Sequence, residues 1–150
     1  MSLRLEVNVA TQRLRLWDGS RLVKEWPVST ARAGVGFVEG SLRTPVGQFR
    51  IKEKHGTGVP SGTIFKARQP VGLWQGEKLD DDLVLTRILR LEGLEARNAN
   101  TFERFIYIHG TNDEQGIGRP GSHGCVRLRN DDMMEVYDLV PEGTEVWIEE

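Results

Sequence analysis

The first thirty residues alternate apolar and polar side chains in three short segments, and this pattern constrains the fold more than any other feature. The segments are LRLEVNV, RLRLW and RLVKEWPV, separated by the stretches ATQ and DGS. Alternation of this kind is typical of half-buried β-strands, because successive strand side chains point to opposite faces of a sheet. We therefore predict an antiparallel meander with one solvated face at this end of the chain.

The composition favours short strands and many turns. The chain has 150 residues, of which 17 are glycine and 6 are proline, so a helical bundle is disfavoured and one domain over residues 1–150 is expected. The net charge of −2 gives no basic field, which argues against nucleic acid as a partner. No apolar run approaches the roughly 18 residues that a membrane span needs, so no membrane partner is expected.

The remaining segments extend the β prediction and add one helix. LVLTRILRLEGLE fits both strand alternation and a helical stripe, but its β-branched residues and terminal glycine favour a strand. NDDMMEVYDL is the one predicted helix, with Asn130 as its cap and Pro141 beyond its end. Further strands are predicted at Gln48–Lys52, in RFIYIHGT and in TEVWIEE, with two short ones in the loop-rich middle. The fold class is therefore mainly β.

The only cysteine, Cys125, lies in the stretch GSHGCVRLRN. With no partner for a disulfide, it is a small buried residue, a metal ligand, a redox switch or a nucleophile. The spacing H-x-C matches no common zinc pattern, and no resolving thiol is present, so metal and redox roles are disfavoured. The glycines close before it, Gly121 and Gly124, favour a nucleophile, because they let backbone amides approach a substrate. No metal or cofactor is expected.

A thiol nucleophile needs a nearby imidazole, and the chain has three histidines. His55 and His109 each begin an HGT tripeptide. His55 follows IKEK in a stretch predicted to be a glycine-rich loop, whereas His109 ends the apolar strand FIYI, where a catalytic group is better positioned. His123 lies two residues before Cys125 and shares its face if the segment is extended. His109 therefore ranks first as the base, His123 second and His55 third.

These motifs carry a family resemblance. IHGT followed by SHGCVRL resembles the signature of the L,D-transpeptidase (YkuD) catalytic domain, in its arginine-bearing branch. TPVGQF, from Thr44 to Phe49, and PVSTAR also resemble that family, so the likeness runs from about Leu3 to the last strand. It implies an L,D-transpeptidase-like β-sandwich or barrel-like sheet with one short C-terminal helix.

The resemblance also implies roles for individual residues. Cys125 would attack the bond between an L-configured centre and a D-amino acid, usually diaminopimelate–D-alanine, in a peptidoglycan stem peptide. His109 would be the base, oriented by the carbonyl of Gly110. The amides of His123, Gly124 and Cys125 would form the oxyanion hole. The expected substrate-binding residues, besides His123 and Gly124, are Thr111, Arg119, Ser122 and Arg127.

Among these, Arg127 is the candidate to pair with a substrate carboxylate, because its planar fork suits a bidentate contact. Arg119 and Arg129 are expected to add to a positive patch, although Arg129 is better explained by surface pairing with nearby acidic residues. The four tryptophans are expected mainly in the core. Two loops are candidates to cover the site, Lys54–Gln69 and Trp74–Asp82.

Two fates are open for an acyl group on Cys125. Water as acceptor gives an LD-carboxypeptidase, and an amine from a second stem peptide gives an L,D-transpeptidase. The chain shows no leader, so we expect a cytoplasmic LD-carboxypeptidase acting on muropeptides in murein recycling. If a leader had been removed, the expected location is the periplasm or cell envelope, with transpeptidation as the alternative. A non-catalytic murein-binding module is an alternative of another class.

Overall fold

The computed structural model describes residues 2–150 and confirms a mostly β fold, with 43% of residues in strands and a single α-helix near the C-terminal end. Most predicted strands are present, whereas strand β9 was not predicted. The strands are β1 Leu3–Asn8, β2 Arg13–Asp18, β3 Arg21–Pro27, β4 Gly47–His55, β5 Thr63–Lys66, β6 Gln69–Leu73, β7 Val84–Gly93, β8 Tyr107–Gly110, β9 Val126–Leu128 and β10 Glu145–Glu149. The helix α1 spans Asn130–Leu139, and short 3₁₀ turns lie at Ala96–Asn98 and Glu114–Gly116.

The strands form one mixed, branched sheet. Its main path runs β3-β2-β1-β10-β4-β7-β5-β6, and β8 branches from β7 to carry β9 at its other side. Two pairings are parallel, β1 with β10 and β8 with β9, and the other pairings in this path are antiparallel. The predicted N-terminal meander is thus β1 to β3, and the last strand closes beside the first.

The main core lies on one face of this sheet. Alternate residues of the meander point into it, such as Leu5 and Leu14, and α1 covers it with Met133 and Val136. Trp26 is the one tryptophan that is fully buried in residues 2–150, where its indole donates to Glu135 at 2.8 Å. The expectation that the tryptophans are mainly core residues is therefore wrong for the other three.

Helix α1 begins differently from the prediction. Arg129 is the N-cap residue and Asn130 is already the first helical residue. The backbone amide of Asn130 is capped from outside the helix, by the Glu114 carboxylate at 2.8 Å. The Asn130 side chain is therefore free to make contacts elsewhere, which bear on the site described below.

Two segments far apart in sequence are joined along their length. Residues 28–32 and 118–127 exchange a series of backbone hydrogen bonds of 2.8 to 3.0 Å, which includes a reciprocal pair between Ser29 and Arg127. This pairing fixes the stretch that contains Cys125 against the end of the meander. Among residues 2–150, no helix is long and apolar enough to cross a membrane.

Candidate active site

Strands β8 and β9 present four polar or reactive side chains on one face. Ile108 pairs with Val126 and His109 with Arg127 in this parallel ladder. Ile108 and Val126 belong to the main core, so the alternate residues must face the opposite side. Tyr107, His109, Cys125 and Arg127 therefore share the outer face of the two strands, with His109 and Cys125 as diagonal neighbours.

A tight turn places Cys125 just before β9. Gly124 has a φ of +126°, a conformation that favours glycine, which accounts for the residue before the thiol. The Ser122 hydroxyl accepts from the Gly124 amide at 3.2 Å and donates to the Cys125 carbonyl at 2.5 Å. Buried Thr44 donates to the Gly124 carbonyl at 2.9 Å. Ser122 therefore shapes the turn, and Thr44 anchors it to the loop that precedes β4.

The Cys125 thiol lies in a low-polarity surrounding. Its sulfur accepts from the Tyr107 backbone amide at 3.3 Å and lies 3.5 Å from the Phe105 carbonyl. The pKa of the thiol is raised to about 12, mainly by burial and also by the Asp82 carboxylate, although the Tyr107 amide and the charges of Arg104 and Arg127 lower it. The thiol is therefore protonated at neutral pH.

The imidazole of His109 is buried and its orientation is fixed. Its Nδ1 lies 2.5 Å from the Gly110 carbonyl oxygen, so Nδ1–H donates and Nε2 is left as the acceptor. Burial is the main reason that the pKa of His109 lies below its usual value, so the ring is neutral near pH 7. Within residues 2–150 no hydrogen bond joins Cys125 to His109.

Gly110 lies where no larger residue fits. A Cβ at this position would lie 2.3 Å from Oδ1 of Asn130 and 2.8 Å from the Leu85 carbonyl. Asn130 is held there by two contacts, because its Oδ1 accepts from the Thr86 hydroxyl at 2.6 Å and its Nδ2 donates to the Thr111 carbonyl at 2.9 Å. Thr86 itself has a φ of +77°, which is strained for a β-branched residue. This bulge and Asn130 support the backbone that orients His109.

Replacing Gly110 with alanine is therefore expected to destabilise the protein by about 1–3 kcal/mol and to reduce activity, because the methyl group must displace Asn130 or the bulge. The measurements are thermal unfolding and turnover. Gly72→Ala is the matched control, since a Cβ there meets nothing within 4 Å and should change neither quantity. Equal behaviour of the two variants would contradict the steric argument.

Arg127 lies on this face, but its guanidinium is already engaged. It is 3% exposed and donates to Asp82 at 3.1 Å, to Asp113 at 3.4 Å and to the Ser29 hydroxyl at 3.1 Å. The interpretation of Arg127 as an open fork for a carboxylate therefore needs revision, because two carboxylates of the protein already bind it.

A cleft of about 640 Å³ borders this face and includes His123 and Arg127 in its wall. Most of the loop Trp74–Asp82 lines it, whereas no residue of Lys54–Gln69 does, and neither Cys125 nor His109 is among its lining residues. The expected positive patch is wrong, because six carboxylates and three cations line the cleft. They are Glu77, Asp80, Asp81, Asp82, Asp113 and Glu114, against Arg32, Lys78 and Arg127.

The other predicted residues occupy different positions. Exposed His123 reaches the cleft, whereas exposed Arg119 is absent from its lining and donates to the Gln115 carbonyl at 3.4 Å. The Thr111 hydroxyl is buried and accepts from the Asp113 amide at 3.0 Å.

His55 ends strand β4 and contacts Glu53 at 3.0 Å, so the prediction that it lies in a loop is wrong. No cluster of potential metal ligands occurs within residues 2–150.

Three residues of this site were missed from the sequence as contributors. Thr44 was quoted only as part of TPVGQF, and its spacing to Gly124 gives no signal of contact. Asn130 was interpreted as a helix cap, although its side chain supports Gly110. Asp82 was one of three consecutive aspartates, and nothing in that run distinguishes it from Asp80 and Asp81.

The chain is similar in sequence to known proteins along nearly its whole length. A family model described as the L,D-transpeptidase catalytic domain matches residues 2–148. ErfK/SrfK of Escherichia coli (strain K12) is 56% identical over 155 residues, covering 95% of this chain and 42% of that protein. YkuD of Bacillus subtilis (strain 168) is 49% identical over 144 residues, covering 96% and 64% respectively. Both are named as L,D-transpeptidases, and this chain spans about half of their lengths.

Solved structures share the fold. An L,D-transpeptidase from Mycobacterium smegmatis has a TM-score of 0.66 at 18% identity, covering 99% of this chain and 59% of that chain. L,D-transpeptidase 3 from Mycobacterium tuberculosis, in complex with a faropenem-derived adduct, has a TM-score of 0.64 at 17% identity, covering 99% and 60%.

Proposed function

The chain belongs to the L,D-transpeptidase catalytic domain family, and from this premise we propose that residues 1–150 act as one cysteine-dependent catalytic domain on peptidoglycan stem peptides. The single observation that carries the proposal is the outer face of β8 and β9. It holds an imidazole with a fixed ring on β8, a guanidinium on β9 and a thiol on the residue just before β9. The bond attacked joins an L-configured centre to a D-amino acid, usually diaminopimelate to D-alanine.

Cys125 is the nucleophile of the proposed reaction and His109 its base. Because Nδ1 of His109 donates to the Gly110 carbonyl, Nε2 carries the free lone pair. It takes the thiol proton as sulfur attacks the carbonyl carbon and returns this proton to the leaving amine. A thioester on Cys125 and a free D-amino acid result. In the part of the chain that the structure describes, the thiol and the imidazole make no hydrogen bond to each other. Catalytic hydrogen bonds often form or tighten only when substrate binds, so this is consistent with the proposed roles.

The turn around Cys125 supplies the proposed oxyanion hole. The Gly124 amide donates to the Ser122 hydroxyl at 3.2 Å, so the amides of His123 and Cys125 are the better placed donors. The positive φ of Gly124 sets the direction of the backbone amides in this turn. The Thr44 hydroxyl donates to the Gly124 carbonyl and so fixes the orientation of that peptide group. These amides stabilise the oxyanion of the tetrahedral intermediate.

The proposed acceptor for the acyl group is water, which makes the domain an LD-carboxypeptidase that releases the terminal D-alanine from muropeptides. Water needs no binding site beyond that of the stem peptide, whereas a second stem peptide would need one. The second candidate is an L,D-transpeptidase, with an amine from a second stem peptide or a D-amino acid as acceptor. The names of the E. coli and B. subtilis relatives favour this alternative.

One experiment tests the proposed acceptor. The protein is mixed with a tetrapeptide muropeptide, with and without a D-amino acid, and the products are identified by mass. We expect mainly tripeptide and free D-alanine in both mixtures. Exchange product or cross-linked dimer would assign the domain to transpeptidation instead. If the tetrapeptide binds but is never cleaved, the domain is a non-catalytic murein-binding module.

A further inference from the structure

An acidic side chain from the loop Trp74–Asp82 forms an ion pair with Arg127, which lies on the same face as Cys125. Asp82, at the end of the loop Trp74–Asp82, contacts the guanidinium of Arg127 at 3.1 Å. Both side chains are shielded from solvent, since the exposed fraction is 3% for Arg127 and 13% for Asp82. Asp113, the other carboxylate on Arg127, is 55% exposed and lies farther away at 3.4 Å. Asp82 is therefore the main charged partner of Arg127.

The backbone on both sides of Asp82 is fixed. The amide of Leu83 donates to Oδ1 of Asn112 at 3.0 Å, and Nδ2 of Asn112 donates to the carbonyl of Asp81 at 3.0 Å. Asn112 follows directly after the HGT stretch that contains His109. The end of the loop is thus clamped to the segment directly after β8, the strand that carries the proposed base, and the Asp82 carboxylate is held against Arg127.

The charge of Asp82 acts on both proposed catalytic groups. It raises the pKa of the Cys125 thiol, in addition to the larger effect of burial, and it opposes the lowering of the His109 pKa by burial. Arg104 and Arg127 act on Cys125 in the opposite direction. A carboxylate in this position therefore disfavours the thiolate and neutralises the cation beside it.

We infer that Asp82 is an internal ligand of Arg127 that the carboxylate of an incoming ligand displaces. With Asp82 in place, the site is closed and Arg127 is unavailable to substrate. A ligand with a terminal carboxylate takes over the guanidinium, because a planar fork binds one carboxylate as well as another. The Asp82 side chain then turns away from Arg127, while Asn112 continues to hold the backbone on both sides of it. A ligand whose terminus is a neutral amide cannot make this exchange, so Asp82 is a specificity-determining residue.

The first test needs only the free protein. Asp82→Asn keeps the shape of the side chain and removes its charge, so neutral iodoacetamide should alkylate Cys125 several-fold faster at pH 8 than in the wild type. Asp138→Asn, the same change on an exposed position of α1, is the control and should leave the rate within about twofold. Equal rates for the wild type and Asp82→Asn would overturn the inferred action on the thiol.

The second test measures the exchange and rests on the proposed function. Calorimetry on the Cys125→Ser protein compares a stem tetrapeptide with its C-terminal carboxamide, with and without Asp82→Asn. We expect Asp82→Asn to tighten binding of the acid about tenfold or more and to leave the amide unchanged. Equal changes for acid and amide would indicate a merely structural role and overturn the inference. If neither peptide binds any variant, the proposed substrate is wrong, while the alkylation result still decides the role of Asp82.

Discussion

Replacing Cys125 with serine is expected to lower turnover of a tetrapeptide muropeptide by about 10⁴-fold or more, because no other thiol exists in the chain to form the acyl intermediate. A serine hydroxyl is a far weaker nucleophile than a thiol and needs stronger activation by a base. The same variant should gain no mass on incubation with a carbapenem, whereas the wild type should gain the mass of one carbapenem molecule, because the β-lactam ring opens without losing a leaving group.

Intact-mass measurement separates this expectation from simple unfolding. The sulfur makes only weak contacts, with the Tyr107 amide at 3.3 Å and the Phe105 carbonyl at 3.5 Å, so the serine variant should unfold near the wild-type temperature. A carbapenem adduct that persists on folded Cys125→Ser would show that another residue is the nucleophile. An unmodified wild type would also reject the assignment.

Replacing His109 with alanine is expected to lower turnover by about 10²- to 10⁴-fold, because the thiol then has no base to accept its proton. The raised pKa of Cys125, about 12, makes this dependence strong, since almost no thiolate forms spontaneously at neutral pH. His55→Ala is the matched control. His55 also begins an HGT tripeptide, but it contacts Glu53 at the end of β4, and its loss should change turnover by about twofold or less. Comparable losses in both variants would mean that the base is misassigned.

The pH profile gives a second measure of the same residue. Burial lowers the pKa of His109 below the ordinary histidine value of 6.5. The imidazole therefore stays neutral, and able to accept a proton, at pH values somewhat below 6.5. The acid limb of kcat/KM should therefore lie below pH 6.5. In the same window the unfolded chain binds a proton that the folded chain does not, so stability should also fall as the pH drops below about 6.5. An acid limb above pH 6.5 would contradict the buried, neutral imidazole.

The meander and the last helix could be predicted because their signals are local. Strand β7 was ambiguous for a physical reason. The strand has a bulge at Thr86 and Arg87, where the register to β8 shifts between Leu85 and Ile88. Leu85, Ile88 and Leu89 are all fully buried, so the apolar pattern loses its two-residue period and looks partly helical.

The candidate site was only partly predictable from the sequence. Cys125 and His109 lie in recognisable motifs, and short-range reasoning placed His109 at a strand end. The partners of Arg127 lie at sequence separations of 45 residues for Asp82 and 98 for Ser29, and no local pattern encodes such contacts. For that reason the sequence predicted a guanidinium open to substrate, whereas in the structure Arg127 is paired with Asp82.

The pairing of residues 28–32 with 118–127 has a consequence for how the molecule forms. These backbone bonds bridge about ninety residues of chain, so the turn that holds Cys125 cannot be fixed until nearly the whole sequence is in place. We expect contacts of such large sequence separation to form late in folding, because the entropy of closing a long loop must first be overcome. A nascent or half-folded chain therefore carries a thiol without its turn or its ordered imidazole, and we expect catalytic competence only after this pairing has formed.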